Sequence, residues 1–486
     1  MTKILKDLRP ANVFKYFEEI SSIPRGSGNE KAVSDHIVEF AKDLGLWVMQ
    51  DEVFNVYIRK PATAGYENAP TVILQGHLDM VCEKTKTSDH DFENKGLELC
   101  IEDDYIRAAD TTLGADNGVA IAYQMAVLAD MTLKHPELEI LMTTDEERGM
   151  TGASHIHTEY LKGKVLINLD TDVEGEFLVS CAGGTKATIN LKLDYELNAS
   201  PKTTYRIMVS GLLGGHSGAD IHLERGNAHI IMGRVLSDIR KEVHFNLCEF
   251  SGGTKDNVIT RECECLIAVD QEQASLLEKL VRGTEKVFKA EYSRQDSNIS
   301  ITANKEQAAG REFSSQLTQD IIDLLLLIPN GIISYDQAMQ GLVETSLNLG
   351  IVGVQNDVFR FGSAIRSAVP SKKQALVDKM NVLSKKFNGE FKIAGDYPAW
   401  QYCEESKIRD LSILTYKQMY GKNPEIKSIH AGLECGFIAE KIEGLDMIAF
   451  GPNVKDIHSP QERVSISSMA RVYEYLIKLL ENIVTY

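Results

Sequence analysis

The stretch TVILQGHLD, residues 71–79, decides the fold that we predict for this chain. Its apolar run reads as a strand that is buried on both faces, and the run ends at His77, with Asp79 two residues later. In open α/β sheets, ligands bind just beyond the carboxyl ends of such strands. The stretch therefore favours a mostly parallel α/β sheet with a metal-competent edge, although a purely structural His–Asp contact would look the same here.

Length and composition are those of an ordinary globular protein. The chain has 486 residues, of which 43% are hydrophobic and 25% charged, enough for two or three domains. A formal net charge of −18 disfavours non-specific binding to nucleic acid or anionic membranes. The first ten residues lack the apolar stretch of a secretory signal, and the longest apolar run, residues 321–328, is too short to span a bilayer. With eight scattered cysteines, these features predict a cytoplasmic protein with reduced thiols.

Two later strands also end in acidic side chains. The apolar run at residues 138–144 is followed by the acidic turn that contains Glu146 and Glu147, and the run at residues 164–169 is followed by Asp170. A cluster of acids is usually a solvated turn, but at the end of a buried strand its repulsion is costly unless a cation lies nearby. Three strands with metal-competent ends are difficult to attribute to coincidence.

Two further candidates lie outside these strands. Asp116 precedes an apolar helix and is an ordinary N-cap on one interpretation, but Gly114 and Gly118 on either side indicate an unusual backbone. Near the end of the chain, a short strand at residues 447–450 leads through a Gly-Pro pair to His458. This strand is expected to complete the first sheet.

The middle of the chain has a different order of predicted strands and helices, which predicts an inserted domain. Residues 257–280 and 356–380 resemble one another, since each is a pair of strands leading into an amphipathic helix. We interpret this as a duplicated α+β unit, each half close to the split βαβ plan. The expected domains are therefore residues 1–184 and 396–486, which together form the first domain, and the insertion at residues 185–395.

The candidate ligands form a set that suits a pair of metal ions. Imidazole nitrogens and carboxylate oxygens are ligands that zinc accepts at open, catalytic sites. Two ions that share one carboxylate would explain five ligands where a single ion needs three or four. The five are His77, Asp116, Glu147, Asp170 and His458.

The ordered motifs resemble the di-zinc aminopeptidase/carboxypeptidase family, M20. They are GHLDMV, GADNGV, DEE, NLD, GGHSG and a late HS pair, and together they span almost the whole chain. The resemblance implies a di-zinc exopeptidase-like catalytic domain, with helices flanking a mostly parallel sheet, and an inserted lid. It also implies that Asp116 bridges two Zn²⁺ ions, with His77 and Asp170 on one ion and Glu147 and His458 on the other. Cobalt or manganese would be possible substitutes.

The same resemblance assigns three catalytic roles. Asp79 would orient the ring of His77, and Glu146 would be the general base. His216, in the glycine-rich GGHSG segment, would donate a hydrogen bond to the oxyanion, although by itself it reads as a histidine in a surface turn. The family also has a cis peptide bond after the bridging aspartate, here between Asp116 and Asn117.

Substrate-binding residues follow less directly. Asn257 and Arg366 lie at matching strand positions and are candidates for holding the substrate carboxylate, with Arg360 as a competitor for the arginine role. On resemblance alone, the loop at residues 431–436, which includes Gly432, would line the substrate end of the pocket.

The resemblance implies hydrolysis of unblocked dipeptides, including Xaa-His dipeptides such as β-alanyl-histidine. The alternatives are an amidohydrolase of N-acyl amino acids, an exopeptidase of longer peptides, and a metal-binding scaffold without catalysis. The intact Glu146, Asp79 and His216 argue against the scaffold. The duplicated insertion suggests that each chain, as a monomer or in a homodimer, has a complete active site, with no nucleic acid or membrane partner.

Overall fold

The structure is a computed structural model that describes residues 4–196, 202–306 and 310–486. The chain forms two compact units. Unit 1 comprises Met1–Ser180, Tyr402–Ser428 and Leu433–Tyr486, and unit 2 comprises Cys181–Gln401 and Ile429–Gly432. The short return of Ile429–Gly432 to unit 2 is a feature that the continuous C-terminal segment expected from the sequence did not include.

The elements are numbered along the chain. The α-helices are α1 (Ala11–Ser21), α2 (Lys31–Asp43), α3 (Ala115–Ala129), α4 (Glu146–Gly149), α5 (Thr151–Ser154), α6 (Ala228–Ile239), α7 (Ala274–Glu291), α8 (Ser315–Leu327), α9 (Pro370–Lys386), α10 (Lys407–Tyr420), α11 (Glu434–Lys441) and α12 (Ile466–Asn482). The strands are β1 (Trp47–Gln50), β2 (Val56–Lys60), β3 (Val72–His77), β4 (Leu99–Glu102), β5 (Tyr105–Ala108), β6 (Leu138–Thr143), β7 (Val165–Asn168), β8 (Glu176–Cys181), β9 (Gly183–Lys192), β10 (Tyr195–Glu196), β11 (Lys202–Ser210), β12 (Gly215–His216), β13 (Phe245–Gly252), β14 (Val258–Ile259), β15 (Cys263–Asp270), β16 (Ser300–Glu306), β17 (Glu312–Phe313), β18 (Gly331–Tyr335), β19 (Val343–Gln355), β20 (Val358–Ser367), β21 (Glu390–Tyr397), β22 (Glu425–Ile429), β23 (Asp446–Ala449), β24 (Val454–Lys455) and β25 (Arg463–Ser465). Among the described residues, none of the helices combines the length and the apolar character that crossing a membrane requires.

Unit 1 is built on an eight-stranded sheet with the order β1-β2-β6-β3-β7-β23-β8-β22. The central strands β6, β3, β7 and β23 are parallel, whereas β1, β2 and β8 pair in the antiparallel sense. The parallel centre confirms the predicted α/β class, and β23 completes this sheet as expected. Every residue of β3, β6 and β7 is buried, as the apolar runs indicated.

The parallel register brings the three strand ends together. His77 at the end of β3 lies opposite Thr143 of β6, and Gln75 lies opposite both Leu141 of β6 and Asn168 of β7. Because the strands run in the same direction, the segments that follow them leave from one edge of the sheet. Helix α3 packs on β3, and α1 packs on α3, so that this edge rests on a continuous apolar core.

Unit 2 contains a nine-stranded sheet, in which β18 pairs with β19 outside the main order of β16-β11-β15-β13-β19-β20-β9-β21. One half follows the connectivity β11-α6-β13-β15-α7-β16, and the other follows β9-α8-β19-β20-α9-β21. The halves meet where β13 pairs with β19 through only two registered positions. The first strand of the second half, β9, precedes the entire first half along the chain, a feature that the sequence pattern did not reveal.

Candidate metal centre

The first part of the site lies at the end of β3. The side chain of His77 is 1% exposed, and its Nε2 atom lies 3.0 Å from Oδ1 of Asp116 and 3.8 Å from Oδ1 of Asp170. Its backbone N–H donates to Oδ1 of Asn117, whose Nδ2 donates in turn to Asp170. The ends of β3 and β7 and the start of α3 therefore place three potential ligands around one point.

The backbone around Asp116 explains how this residue reaches the site. Gly114 has a φ of +64°, and Asp116 and Asn117 have non-helical dihedral angles within the first turn of α3. Asp116 is therefore not an ordinary N-cap, the alternative left open by the sequence. The peptide bond between Asp116 and Asn117 is cis, as the family resemblance implied.

The second part of the site lies on the other side of Asp116. Nε2 of His458 is 3.0 Å from the Glu147 carboxylate and 3.5 Å from Oδ2 of Asp116. Asp116 thus presents one carboxylate oxygen to each of two histidines. Within the part of the chain that the structure describes, three groups of side chains have ligand atoms close enough to hold an ion: His77 with Asp116 and Asp170; Asp116 with Glu147 and His458; and His77 with Glu146 and Glu147.

Asp79 connects the site to the acidic turn after β6. Its Oδ1 lies 3.2 Å from Nδ1 of His77 and accepts the backbone N–H of Glu146 at 3.0 Å. Its Oδ2 accepts the N–H of Glu147 and the hydroxyl of Ser27. One buried carboxylate therefore fixes both a histidine ring and the two consecutive glutamates.

Several side chains of this cluster have pKa values far from their usual ones. Burial opposes the charge on His77, but the Asp116 and Asp79 carboxylates outweigh it and raise the pKa of His77 well above its usual value. Asp116 and Glu147 raise the pKa of His458 to about 10. Burial, followed by the charge of Asp116, raises the pKa of Asp170.

These side chains fit divalent cations. The cluster holds four carboxylates and two imidazoles, a set that divalent transition metals accept. Like-charged carboxylates that are buried together are unfavourable unless a cation compensates them. The shared position of Asp116 suits two ions better than one.

The sequence analysis did not predict Ser27 and Glu30, which support this site. Glu30 accepts the N–H groups of Gly28 and Asp145 through Oε1, and with Ser27 it shows that the segment at residues 24–30 braces the acidic turn. The only available signal was the pair of glycines in PRGSGNE.

A buried acid lies beneath the site as well. The Oε2 atom of Glu434 accepts hydrogen bonds from Nε2 of Gln75 at 2.5 Å and from the hydroxyl of Thr143 at 2.6 Å. Gln75 also accepts a hydrogen bond from Asn168. Burial raises the pKa of Glu434 to about 7. This polar layer joins β3, β6 and β7 directly below their ends, and its partners are too distant in sequence to be foreseen.

The remaining predicted residues belong to unit 2. Nδ1 of His216 accepts the backbone N–H groups of Gly218 at 3.2 Å and Ala219 at 3.1 Å, so the ring proton of neutral His216 is on Nε2. Burial, followed by the charge of Arg366, lowers the pKa of His216. In unit 2, His216 is therefore a neutral donor with its Nε2–H group.

The two candidate arginines occupy one face of β20, about 20 Å apart at the usual rise of a strand. Arg366 is buried, donates to the Tyr397 hydroxyl at 2.8 Å, and lies near enough to His216 to affect its pKa. Arg360 instead donates to Gln355.

Asn257 and Gly432 complete the predicted set. The carbonyl of Asn257 accepts the N–H of Ser217, next to His216. Gly432 is half-buried at the end of the segment that returns to unit 2.

Comparison with known proteins gives a consistent result. Residues 73–482 match the model of the peptidase family M20/M25/M40. The chain is 37% identical, over 99% of both chains, to the cytosol non-specific dipeptidase of Escherichia coli strain K12. The structure of aminoacylhistidine dipeptidase from Vibrio alginolyticus superposes with a TM-score of 0.94 at 35% identity, over 99% of this chain and 98% of that one. Aminopeptidase PepT from Bacillus cereus shares the fold, with a TM-score of 0.56 at 16% identity, over 98% of this chain and 99% of that one.

Proposed function

We propose a function from one premise, which is that this chain belongs to peptidase family M20/M25/M40. The protein is a metal-dependent dipeptidase that hydrolyses unblocked dipeptides, including Xaa-His dipeptides such as β-alanyl-histidine. The observation that carries this proposal is the position of Asp116, which presents one oxygen to His77 and the other to His458. The similarity to two proteins that are named dipeptidases over nearly their full lengths supports the substrate class.

The proposed metal is zinc, two ions per chain, because histidine and carboxylate ligands are typical of open zinc sites. His77 and Asp170 would hold one ion, Glu147 and His458 the other, and Asp116 both. Bound there, the ions would supply an activated water molecule and polarise the scissile carbonyl.

Glu146 is the proposed general base. Its backbone is fixed by the hydrogen bond to Asp79, next to Glu147 in the ligand set. In this role, Glu146 takes a proton from the attacking water and delivers it to the amine of the leaving residue. Because Glu146 also belongs to one potential ligand group, its role as a base must be separated from a role as a ligand.

His216 is the proposed donor to the oxyanion of the tetrahedral intermediate. The two backbone N–H groups on Nδ1 leave Nε2–H as its donor, and its lowered pKa keeps the ring neutral near pH 7. A preorganised donor of this kind stabilises charge that develops only in the transition state.

Arg366 is the proposed partner of the substrate carboxylate, with Asn257 and Gly432 as further contacts. Arg366 is preferred to Arg360 because Arg366 lies close to His216 within unit 2. A guanidinium suits a carboxylate because it donates two parallel hydrogen bonds. We further propose that each chain holds all the residues that it needs.

The decisive experiment measures the release of free histidine from β-alanyl-histidine by metal-stripped protein, before and after the addition of zinc. Zinc-restored release is the expected result. If the protein binds two zinc ions without releasing histidine, a panel of N-acyl amino acids and tripeptides identifies the substrate instead. A failure to bind zinc contradicts the proposed metal site and therefore the proposed function.

A further inference from the structure

The loop that leads into α3 is held from both sides by two buried charged side chains. Glu462 and Arg25 are each 2% exposed, and they come from opposite ends of the chain. Neither belongs to the ligand set. Glu462 bonds to the backbone between Leu113 and Asp116, and Arg25 bonds to Gly114 and to the segment that follows β3.

Glu462 takes the amide side of this loop. Its Oε2 accepts the N–H groups of Leu113 at 2.8 Å and Gly114 at 2.9 Å, and its Oε1 accepts those of Ala115 at 2.8 Å and Asp116 at 3.3 Å. The first amides of a helix have no partner inside the helix, and a carboxylate stabilises the positive end of the helix dipole. One side chain thus satisfies four consecutive N–H groups.

Arg25 takes the carbonyl side. Its Nη1 donates to the carbonyl oxygens of Leu78 and Asp79, both at 3.0 Å, and its Nη2 donates to that of Gly114. Both backbone groups of Gly114 are therefore bound by one or the other of the two charged side chains. Through Arg25, the loop before α3 is tied to the segment that follows β3.

This arrangement explains the two glycines that flank Asp116. A Cβ atom at Gly114 would lie 2.5 Å from Nη2 of Arg25, and one at Gly118 would lie 2.6 Å from the same atom. The guanidinium therefore needs both positions to be free of side chains. The unusual backbone that the sequence indicated is shaped around Arg25.

We propose that Glu462 and Arg25 are positioning residues that hold the carboxylate of Asp116 in its shared position between His77 and His458. Glu462 lies only four residues after His458, so one C-terminal segment carries both a proposed ligand and the support of another. The metal part of this inference rests on the proposed function, whereas the positioning of the loop does not.

The test uses full-length Glu462→Gln and, as a matched control, Glu139→Gln. Glu139 is also buried in unit 1, and its polar partners among the described residues are Lys162, Gly163 and Arg59, none of which is a proposed ligand. In metal-stripped protein, hydrogen exchange at residues 113–116 should become at least 10-fold faster in Glu462→Gln and remain unchanged in Glu139→Gln. Zinc affinity, measured by competition with a chelator, should fall by about 10- to 100-fold in Glu462→Gln only.

Arg25→Lys provides a second variant in case Glu462→Gln does not fold. Lysine keeps the charge but cannot span the three carbonyls, so it should give faster exchange at residues 113–116 and weaker zinc binding. Wild-type exchange and zinc affinity in either folded variant would overturn the proposal, as would equal losses in Glu139→Gln. Because exchange is measured without metal or substrate, its outcome is independent of whether the protein is a dipeptidase.

Discussion

His77 and His458 of unit 1 lie against carboxylates that raise their pKa values. Because its pKa is raised, each ring must lose a proton more tightly held than usual before it can bind a metal ion. Surroundings so rich in carboxylates favour a cation.

Three histidines of unit 2 show the opposite behaviour. Burial lowers the pKa values of His229 and His430 to about 3 and also lowers that of His216, and the charge of Arg366 adds to the effect on His216 and His430. These rings stay neutral at pH 7. The contrast teaches that carboxylates raise the pKa of a histidine, whereas burial and a nearby arginine lower it.

The largest effect is expected from Glu146→Gln, which tests whether Glu146 is a metal ligand, like the neighbouring carboxylates, or the general base. A general base contributes about 10²- to 10⁴-fold, so if Glu146 has the proposed role, kcat should fall by that factor while two zinc ions remain bound. Steady-state kinetics and metal analysis of the same preparation measure both quantities. The loss of one zinc ion would make Glu146 a ligand; Glu405→Gln, at an exposed position, is the control.

The next effect concerns the neutral donor in unit 2. His216→Ala should lower kcat by about 10²- to 10³-fold with little change in KM, because the proposed oxyanion donor would act on the transition state. His216→Gln places an N–H group near the position of Nε2 and should recover part of the loss, whereas His216→Asn should not. An effect confined to KM would assign His216 to ground-state binding, and His222→Ala, at an exposed position of the same unit, should behave as wild type.

A smaller effect is expected from Asp79, the carboxylate that contacts Nδ1 of His77. Asp79→Asn should weaken zinc binding by about 10- to 100-fold, since the amide disturbs both the ring and the turn at Glu146 and Glu147. Chelator competition provides the measurement. Asp296→Asn is a suitable control, because Asp296 also accepts two backbone N–H groups, in unit 2. Equal losses in both variants would show that Asp79 acts only through stability.

The smallest effect is the pH dependence of unit 2. The pKa of His229 is lowered to about 3 in the folded chain, so unfolding takes up a proton below pH 6.5 and stability is lost as the pH falls. Between pH 7.5 and pH 5, this histidine should cost about 2 kcal/mol of unfolding free energy. The deficit of His229→Leu relative to wild type should shrink by that amount, as measured by native-state hydrogen exchange in α6. A deficit that is constant with pH would show that His229 is not buried as a neutral ring.

The sequence predicted the parts of the site that depend on local pattern. An apolar strand that ends in His77, or an acidic turn after β6, is visible within ten residues, and parallel pairing then brings such ends to one edge. Glu462 and Arg25 were not foreseen, because each acts on a backbone that is distant along the chain. The two glycines around Asp116 indicated an unusual backbone. The reason that these positions are glycines is the guanidinium of Arg25, which no local sequence pattern reveals.

The order of the strands in unit 2 determines when this unit can be assembled during synthesis. Strand β9 leaves the ribosome first in this unit, but its partners β20 and β21 follow the whole first half, with about 165 residues between β9 and β20. At a synthesis rate of 5–20 residues per second, β20 is made roughly 10 to 30 s after β9. The first half, β11 to β16, is fully synthesised within that interval, before the strands that pair with β9 exist.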